Sequence, residues 1–177
     1  MSTRTHDGWT AHGHVLEDFE VGDVYRHWPG HTITAAENQF FTLLTGNPSA
    51  AHLDVEFARE VGHPDVLVNG GLVLSIVHGL SVRDISSSPA AIAQLSWDNI
   101  RIQRPTFPGD TLYAETEILE TRPSSSKADR GVVRVRTRGL NQHGHLVVEY
   151  ERAVVVHRRG HVPIPAAFSK SREGVKS

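Results

Sequence analysis

Histidine is the residue type in this chain that is best suited to acid–base chemistry. The chain contains 12 histidines among 177 residues. His52 stands in the polar stretch TGNPSAAHLD, directly after an apolar run. Imidazole titrates near neutral pH, so a histidine in this setting can act as a general base and return the proton. The alternative is structural, because the same residue could only cap a helix beginning at Asp54. The first question is therefore whether His52 is a base or a cap.

Two further histidine pairs raise the question of a metal site. His12/His14 and His143/His145 have the i, i+2 spacing that places both rings on one face of a strand. A glycine lies inside each pair, and Asn141-Gln142-His143-Gly144 is typical of a hairpin turn. We therefore predict exposed turn histidines and no metal. The absence of cysteine also excludes disulfides, thiolate nucleophiles and cysteine-ligated metals.

Length and composition indicate one domain. A chain of 177 residues with 38% hydrophobic residues can bury one core, and we place that domain at 15–160, between a flexible N-terminus, 1–14, and a C-terminal tail, 161–177. The 18 basic and 20 acidic residues are spread along the chain, which argues against a nucleic-acid partner. Apolar runs such as LVLSIV are too short to cross a bilayer, so we expect no membrane association and a soluble, cytoplasmic protein.

Three helices are predicted in the first half of the chain. The spacing Thr34-x-x-Glu37 is a capping box and predicts a helix over 35–45, with Phe40, Leu43 and Leu44 at helical spacing and Gly46 at its end. A short helix is expected over Asp54–Val61. The third candidate, VNGGLVLSIVHGLSVRD, is apolar around most of its circumference and must be wrapped on several sides.

From about residue 96 the pattern changes to four strands: SWDNIRIQ, TLYAETEILETR, GVVRVRTRG and HLVVEYERAVVVH. Leu112, Ala114, Thr116 and Ile118 share one face, as a sheet with one wet side requires. The stripe Arg134, Arg136 and Arg138 is interpreted as a solvated face opposite glutamates, with an acidic-ligand site as the alternative. The fold class is α+β, an antiparallel sheet wrapped around one helix, and its open edge predicts a homodimer.

Four stretches in this order resemble the MaoC-like hydratases: LEDFEVGDVYRH, LLTGNPSAAHLDVEFA, VNGGLVLSIVHGLSV and QRPTFPGDTLYAETEI. These are hotdog-fold enzymes that add water to acyl-CoA thioesters or remove it. The stretches SVRDIS, LSWDNIRI and VVRVRTRGLNQHG are similar in sequence to the mesaconyl-CoA hydratase, or β-methylmalyl-CoA dehydratase, branch. The resemblance implies a hotdog fold and a branched dicarboxylic enoyl-CoA as substrate. It implies no cofactor, because the CoA thioester is itself the substrate.

The resemblance also implies roles for individual residues. His52 matches the histidine of the family motif D-x-N-P-x-H-x-D, and Asn47 falls where the aspartate stands. His52 would then deprotonate water, and Asn47 would orient that water, because an amide is not a base. Gly70 matches the glycine that opens the central helix, where N–H groups of Gly70 or Gly71 could stabilise an enolate oxygen. The alternative is that the two glycines only let the helix pass close to a strand.

Four other residues complete the candidate site. Asn69 is taken as substrate-binding, and Arg101 and Arg104 are candidates for holding the free carboxylate of a dicarboxylic acyl chain. His78 lies about two turns beyond Gly70, near the same helix face, and is either a second acid–base group or a hydrogen-bonded core residue.

Two other functions compete with hydration. A non-catalytic acyl-CoA-binding or partner subunit would account for Asn47 in place of the aspartate. A thioesterase is less favoured, because the central helix from Gly70 to Arg83 contains no Asp or Glu to act as base or nucleophile. The number of matching motifs favours the hydratase.

Overall fold

The structure, a computed structural model, describes residues 13–164. An antiparallel sheet of five strands packs against one long helix, which confirms the α+β prediction. The strands follow the order β1-β3-β4-β5-β2 across the sheet. The helices are α1 (Ala35–Leu44), α2 (Val55–Glu60) and α3 (Gly70–Ile85), and the strands are β1 (Val24–Thr32), β2 (Ala91–Ile102), β3 (Thr111–Pro123), β4 (Arg130–Leu140) and β5 (Leu146–His157).

The caps of the first two helices are those that the sequence predicts. Thr34 Oγ1 accepts a hydrogen bond from the Glu37 N–H, while Glu37 Oε2 accepts one from the Thr34 N–H at 2.7 Å. Asp54 Oδ1 accepts from the N–H groups of Glu56 and Phe57 at 3.0 and 3.1 Å. Asp54 itself therefore caps α2, and the proposed capping role for His52 is not needed.

The apolar spacing of α1 does not mark its buried face. Phe40, Leu43 and Leu44 are 69%, 60% and 69% exposed, whereas Asn38 and Thr42 are buried. The reason lies in what α1 covers: its inner face meets the polar backbone that leads into α3, so it carries hydrogen-bonding side chains there.

Helix α3 forms the core of the domain, as its apolar composition predicts. Val73, Val77 and Ile85 are almost fully buried, and the helix packs against β1, β3, β4 and β5. It lies close to the sheet at Gly139 of β4, where an added Cβ would lie 2.5 Å from Val77 Cγ2. Glycine is thus required at that point for α3 to lie on the sheet.

The two faces of the sheet are sorted as expected. Buried residues of β3 and β4 alternate with charged ones, and the inward set includes Leu112, Ala114, Thr116, Ile118, Val133, Val135 and Thr137. On the outer face, Arg136 pairs with Glu117 and Glu151, and Arg138 Nε donates to Glu149 Oε2 at 2.9 Å. The arginine stripe is therefore a cross-strand ion-pair ladder, and the alternative of an acidic-ligand site is not needed to explain it.

The prediction of four strands was incomplete. Strand β1 was missed, because Pro29 and Gly30 interrupt its alternation and its pairing with β3 shifts between His27 and His31. Proline lacks an N–H and is tolerated here because β1 is an edge strand. Strand β2 also starts at Ala91, five residues before the predicted strand.

A buried chain of hydrogen bonds ties the last turn of α3 to the sheet. The Asp84 carboxylate accepts from His27 Nδ1–H at 2.6 Å, and His27 Nε2 lies 2.8 Å from Thr116 Oγ1. Thr116 Oγ1 is in turn 3.0 Å from Thr137 Oγ1. Burial lowers the pKa of His27, although Asp84 opposes this effect. In the neutral ring that donates from Nδ1 to Asp84, Nε2 accepts from the Thr116 hydroxyl.

The predicted termini fall mostly outside the described residues, which exclude 1–12 and 165–177. His14, assigned to the flexible segment, donates from Nδ1 to the Asp84 carbonyl at 2.7 Å and packs against Phe19 and Tyr25. Its partner His12 lies outside. Within 13–164, no cluster of three or more His, Cys, Asp or Glu residues suits a metal, and no helix is long and apolar enough to span a membrane.

Candidate active site

A cavity of about 320 Å³ lies beside the N-terminus of α3. It brings together residues from the turn before α2, the segment between α2 and α3, the first turn of α3, and the end of β2 with the chain that follows it. The lining residues that carry polar or catalytic potential are His52, His63, Gly70, Gln103, Arg104 and Thr106. Two predicted site residues from distant parts of the sequence, His52 and Arg104, thus share a cavity with Gly70.

The hydrogen bond made by His52 determines which ring nitrogen is free. His52 ends a short 3₁₀ turn (Ala50–His52), and its Nδ1 lies 2.9 Å from the Leu67 carbonyl oxygen. A carbonyl can only accept, so Nδ1 carries the proton. In the neutral ring Nε2 then has its lone pair available, which is the form that a general base requires.

The side chain of Asn38 holds the surrounding backbone in place. It is 1% exposed, and its Nδ2 donates to the carbonyl oxygens of His52 and Leu67 at 3.2 and 3.1 Å. Its Oδ1 accepts from the Asn69 N–H at 2.8 Å. One amide from α1 therefore links the His52 turn to the start of α3. No motif indicated this residue, because a single asparagine within a helix reads as exposed.

Asn69, predicted to bind substrate, is the N-cap of α3. Its Oδ1 accepts from the Gly71 N–H at 2.9 Å, and the residue is buried. The Gly71 N–H is thereby occupied and Gly71 does not line the cavity, which leaves Gly70 as the candidate oxyanion donor. The Gly70 N–H opens the helix, where backbone donors have no partner within the helix.

Packing does not explain the glycine at position 70. An added Cβ there would lie 3.6 Å from Ile102 Cγ1, an ordinary contact, so a larger residue could be accommodated. At Gly71 the same atom would lie 3.2 Å from both Asn69 Oδ1 and the Phe41 ring, which is tight. The tight contacts at Gly71 are therefore to Asn69 and to Phe41 of α1 and not to a strand, whereas Gly70 lines the cavity.

The remaining predicted residues are not brought together with His52. Asn47 Oδ1 accepts from the Ser49 N–H at 3.0 Å within its own turn, and Asn47 does not line the cavity. Arg101 is exposed and also lies outside the cavity lining. His78 lines a different cavity, where burial, followed by the charge of Arg152, lowers its pKa to about 4.

Three polar lining residues were not anticipated from the sequence: His63, Gln103 and Thr106. His63 follows α2 and packs its ring 6.2 Å from that of Phe107. Thr106 is buried, and its carbonyl accepts from the Val68 N–H at 2.8 Å. This bond connects the segment after β2 to the segment before α3. Thr106 lies in QRPTFPGDTLYAETEI, one of the four stretches that carry the family resemblance, but nothing in that stretch singles out Thr106 as a site residue.

A family profile described as mesaconyl-CoA hydratase matches residues 4–173. The chain belongs to the mesaconyl-CoA hydratase family. Mesaconyl-CoA hydratase of Cereibacter sphaeroides is 37% identical over 158 residues, which are 89% of this chain and 45% of that protein. β-Methylmalyl-CoA dehydratase of Chloroflexus aurantiacus is 34% identical over 150 residues, 85% of this chain and 42% of that one. The chain thus spans about half the length of these curated relatives.

Solved structures give the same fold. A MaoC domain protein dehydratase from Chloroflexus aurantiacus matches with a TM-score of 0.78 and 34% identity, covering 87% of this chain and 43% of that one. A MaoC-like dehydratase from Rhodospirillum rubrum matches with a TM-score of 0.72 and 34% identity, over 86% of this chain and 100% of that one. A Mycobacterium tuberculosis protein with a double hotdog fold, at 24% identity, has a TM-score of 0.74. The predicted hotdog fold is confirmed.

The role of Asn38 can be tested by Asn38→Ala. The change removes three hydrogen bonds and leaves the buried Asn69 N–H without an acceptor, so we expect the free energy of unfolding to fall by about 3 kcal/mol. Denaturant unfolding measures this difference. The control is Gln39→Ala at the adjacent exposed position, expected within about 0.5 kcal/mol of the unchanged chain. Equal stability of the two variants would contradict the linking role of Asn38.

Proposed function

We propose that this chain is the catalytic subunit of an enoyl-CoA hydratase/dehydratase. The substrate is a branched dicarboxylic enoyl thioester of the mesaconyl-CoA/β-methylmalyl-CoA type. The observation that carries the proposal is the tautomer of His52: Nδ1–H is used by the Leu67 carbonyl, so Nε2 is the free base in the cavity that Gly70 and Arg104 also line. The sequence kinship to a mesaconyl-CoA hydratase and a β-methylmalyl-CoA dehydratase supports the choice of substrate.

Hydration proceeds in two proton transfers through His52. Nε2 removes a proton from water as the oxygen bonds to the β-carbon of the enoyl group. The electron pair of the double bond moves toward the thioester carbonyl, which gives an enolate. The imidazolium then returns the proton from Nε2 to the α-carbon, which restores the carbonyl and the neutral base. Dehydration follows the same path in reverse.

Gly70 stabilises the enolate oxygen in this scheme. Its N–H lies at the positive end of the α3 dipole, and one such donor is typically worth about 3–4 kcal/mol in the transition state. The Leu67 carbonyl contributes as well, because it accepts the Nδ1–H and stabilises the imidazolium that forms during the reaction.

Arg104 is the proposed partner of the free carboxylate. It lines the cavity, and no carboxylate forms a salt bridge with it among residues 13–164. A guanidinium can bind a carboxylate through two parallel hydrogen bonds, which would orient a dicarboxylic acyl chain. Asn47 keeps its proposed water-orienting role only if its amide leaves the turn with Ser49.

A homodimer is part of the proposal. Strand β2 lies at the edge of the sheet and exposes several large apolar residues: Ile92, Leu95, Trp97, Ile100 and Ile102. An edge of this kind is stabilised by pairing with a second copy about a two-fold axis. Because Ile102 also lines the active-site cavity, such pairing would close one side of it.

The alternative of a non-catalytic acyl-CoA-binding subunit is favoured by one observation, the absence of Asn47 from the cavity lining. A thioesterase is not favoured, since the carboxylate on α3, Asp84, is bound to His27 at the far end of the helix.

The decisive variant for the hydratase is His52→Gln, which keeps an N–H donor for Leu67 but has no base. We expect kcat for mesaconyl-CoA to fall by about 10³-fold. The rate is measured from the decrease in enoyl-thioester absorbance. His145→Gln, in an exposed turn, is the matched control and should retain activity. Tight binding of CoA esters by the unchanged chain without any turnover would instead establish the binding-subunit alternative.

Substrate selection by Arg104 is tested with Arg104→Met and Arg101→Met, since both arginines are predicted candidates. We expect Arg104→Met to lower kcat/KM for mesaconyl-CoA at least about tenfold, because the variant cannot hold the free carboxylate. The same variant should change kcat/KM for crotonyl-CoA much less, since the acyl chain of that ester has no free carboxylate. A larger effect of Arg101→Met on mesaconyl-CoA would move the binding role to Arg101.

The dimer interface is tested by Leu95→Glu on β2, a residue that is 58% exposed in the single chain. We expect the dimer to dissociate to a monomer, as measured by light scattering during gel filtration, because the charge would be buried without a partner. Leu43→Glu on α1, at a residue 60% exposed, is the matched control and should leave the mass unchanged. Dissociation by Leu43→Glu alone would place the interface on α1.

A further inference from the structure

Arg152 of β5 is a charged residue buried in the core without a charged partner. It is 0% exposed. Its guanidinium donates only to neutral oxygens: Ser81 Oγ at 2.9 Å, Ser86 Oγ at 3.1 Å and Gln94 Oε1 at 3.3 Å. Its Nε has no hydrogen-bond partner, and no carboxylate forms a salt bridge with it within 13–164.

A buried guanidinium in this state is incompletely stabilised. Removing a charge from water is costly unless an opposite charge compensates for it, and three neutral acceptors supply only part of that compensation. Arginine does not escape by losing its proton, although burial lowers its pKa. The nearest acid on α3, Asp84, already accepts from His27. The arrangement therefore lacks an anion.

A second cavity, of about 240 Å³, lies beside side chains that accept from this guanidinium, although Arg152 itself does not line it. It is lined by two of the three acceptors, Ser86 and Gln94, and by His78. Gln94 is exposed in the single chain and lies on the edge strand β2, so its amide can swing away from Arg152 without disturbing the core of the domain. The buried Nδ1 of His78 has no hydrogen-bond partner either, and its ring is fixed against Trp97 at a centroid distance of 5.5 Å.

We propose that this second cavity is a carboxylate-binding site in which a small organic carboxylate displaces the Gln94 amide and pairs with Arg152. Ser86 remains as a neutral donor to the same anion, and His78 borders the site. The volume suits a short acid and excludes a whole CoA ester, so the site recognises the carboxylate end of its ligand.

Two sources can supply that carboxylate. One is a free dicarboxylic acid, and the other is the free carboxylate of an acyl thioester. A thioester held at His52 of the same chain cannot reach, because Ser81 lies about 16 Å beyond Gly70 along α3. The thioester would have to be bound by another subunit, and that source alone rests on the proposed hydratase function.

The binding test uses succinate as the probe and thermal unfolding as the readout, in sodium chloride of matched ionic strength. We expect succinate to raise the melting temperature of the unchanged chain in a saturable way. Gln94→Glu supplies a tethered carboxylate, so it should raise the melting temperature without ligand by about 3 °C and abolish the response to succinate. Gln39→Glu adds the same charge on exposed α1 and should keep the full response.

The proposal requires all of these results. A chain that does not respond to succinate, or a Gln94→Glu variant that gains no stability, overturns it, because Arg152 would then not be short of an anion. A Gln94→Glu variant that still responds fully places the binding elsewhere and overturns it as well. None of these readouts uses enzymatic activity, so they stand apart from a failure of the hydratase proposal.

Kinetics then separates the two sources. The measured quantity is the ratio of kcat/KM for mesaconyl-CoA to that for crotonyl-CoA, in the unchanged chain and in Gln94→Glu. If the thioester carboxylate occupies the site, Gln94→Glu lowers this ratio at least about tenfold, by repulsion of the second carboxylate. If a free acid is the ligand, the ratio stays within about twofold while the succinate response is lost.

Discussion

The candidate active site depends on one buried amide. Asn38 has two N–H donors and one carbonyl acceptor, and all of its contacts are to backbone atoms of segments distant in sequence. The Leu67 carbonyl accepts both from Asn38 and from His52 Nδ1, so the atom that sets the tautomer of His52 is itself held by Asn38. The interaction also explains why α1 turns its polar side inward and leaves Phe40 in solvent.

Much of the fold could be predicted from local pattern. The capping box at Thr34, the all-round apolar character of α3 and the alternation in β3 each follow from rules that act within a few residues. His52 and Gly70 were also identified from the sequence, because they lie in short motifs similar to those of a known family. They meet in one cavity because the segment between them folds back, and the bond from the Leu67 N–H to the Ala51 carbonyl and the hydrogen bonds of Asn38 hold it there.

The residues that sequence reasoning missed are polar groups with distant partners. Asn38 and Arg152 are of residue types that predict exposure, yet both are buried by elements far along the chain. The capping role of Asn69 was not predicted, since capping depends on where α3 begins. Strand β1 was not predicted because it contains Pro29, which is tolerated there only because β1 is an edge strand.

The contact between Val77 and Gly139 has a mechanical consequence. It lies near the middle of α3 and brings helix and sheet together there, while the two cavities lie toward opposite ends of the helix. The position of α3 on the sheet therefore depends on the small size of residue 139. A bulkier side chain there would push the helix away from the sheet, and both cavities would change shape together although neither contains that residue.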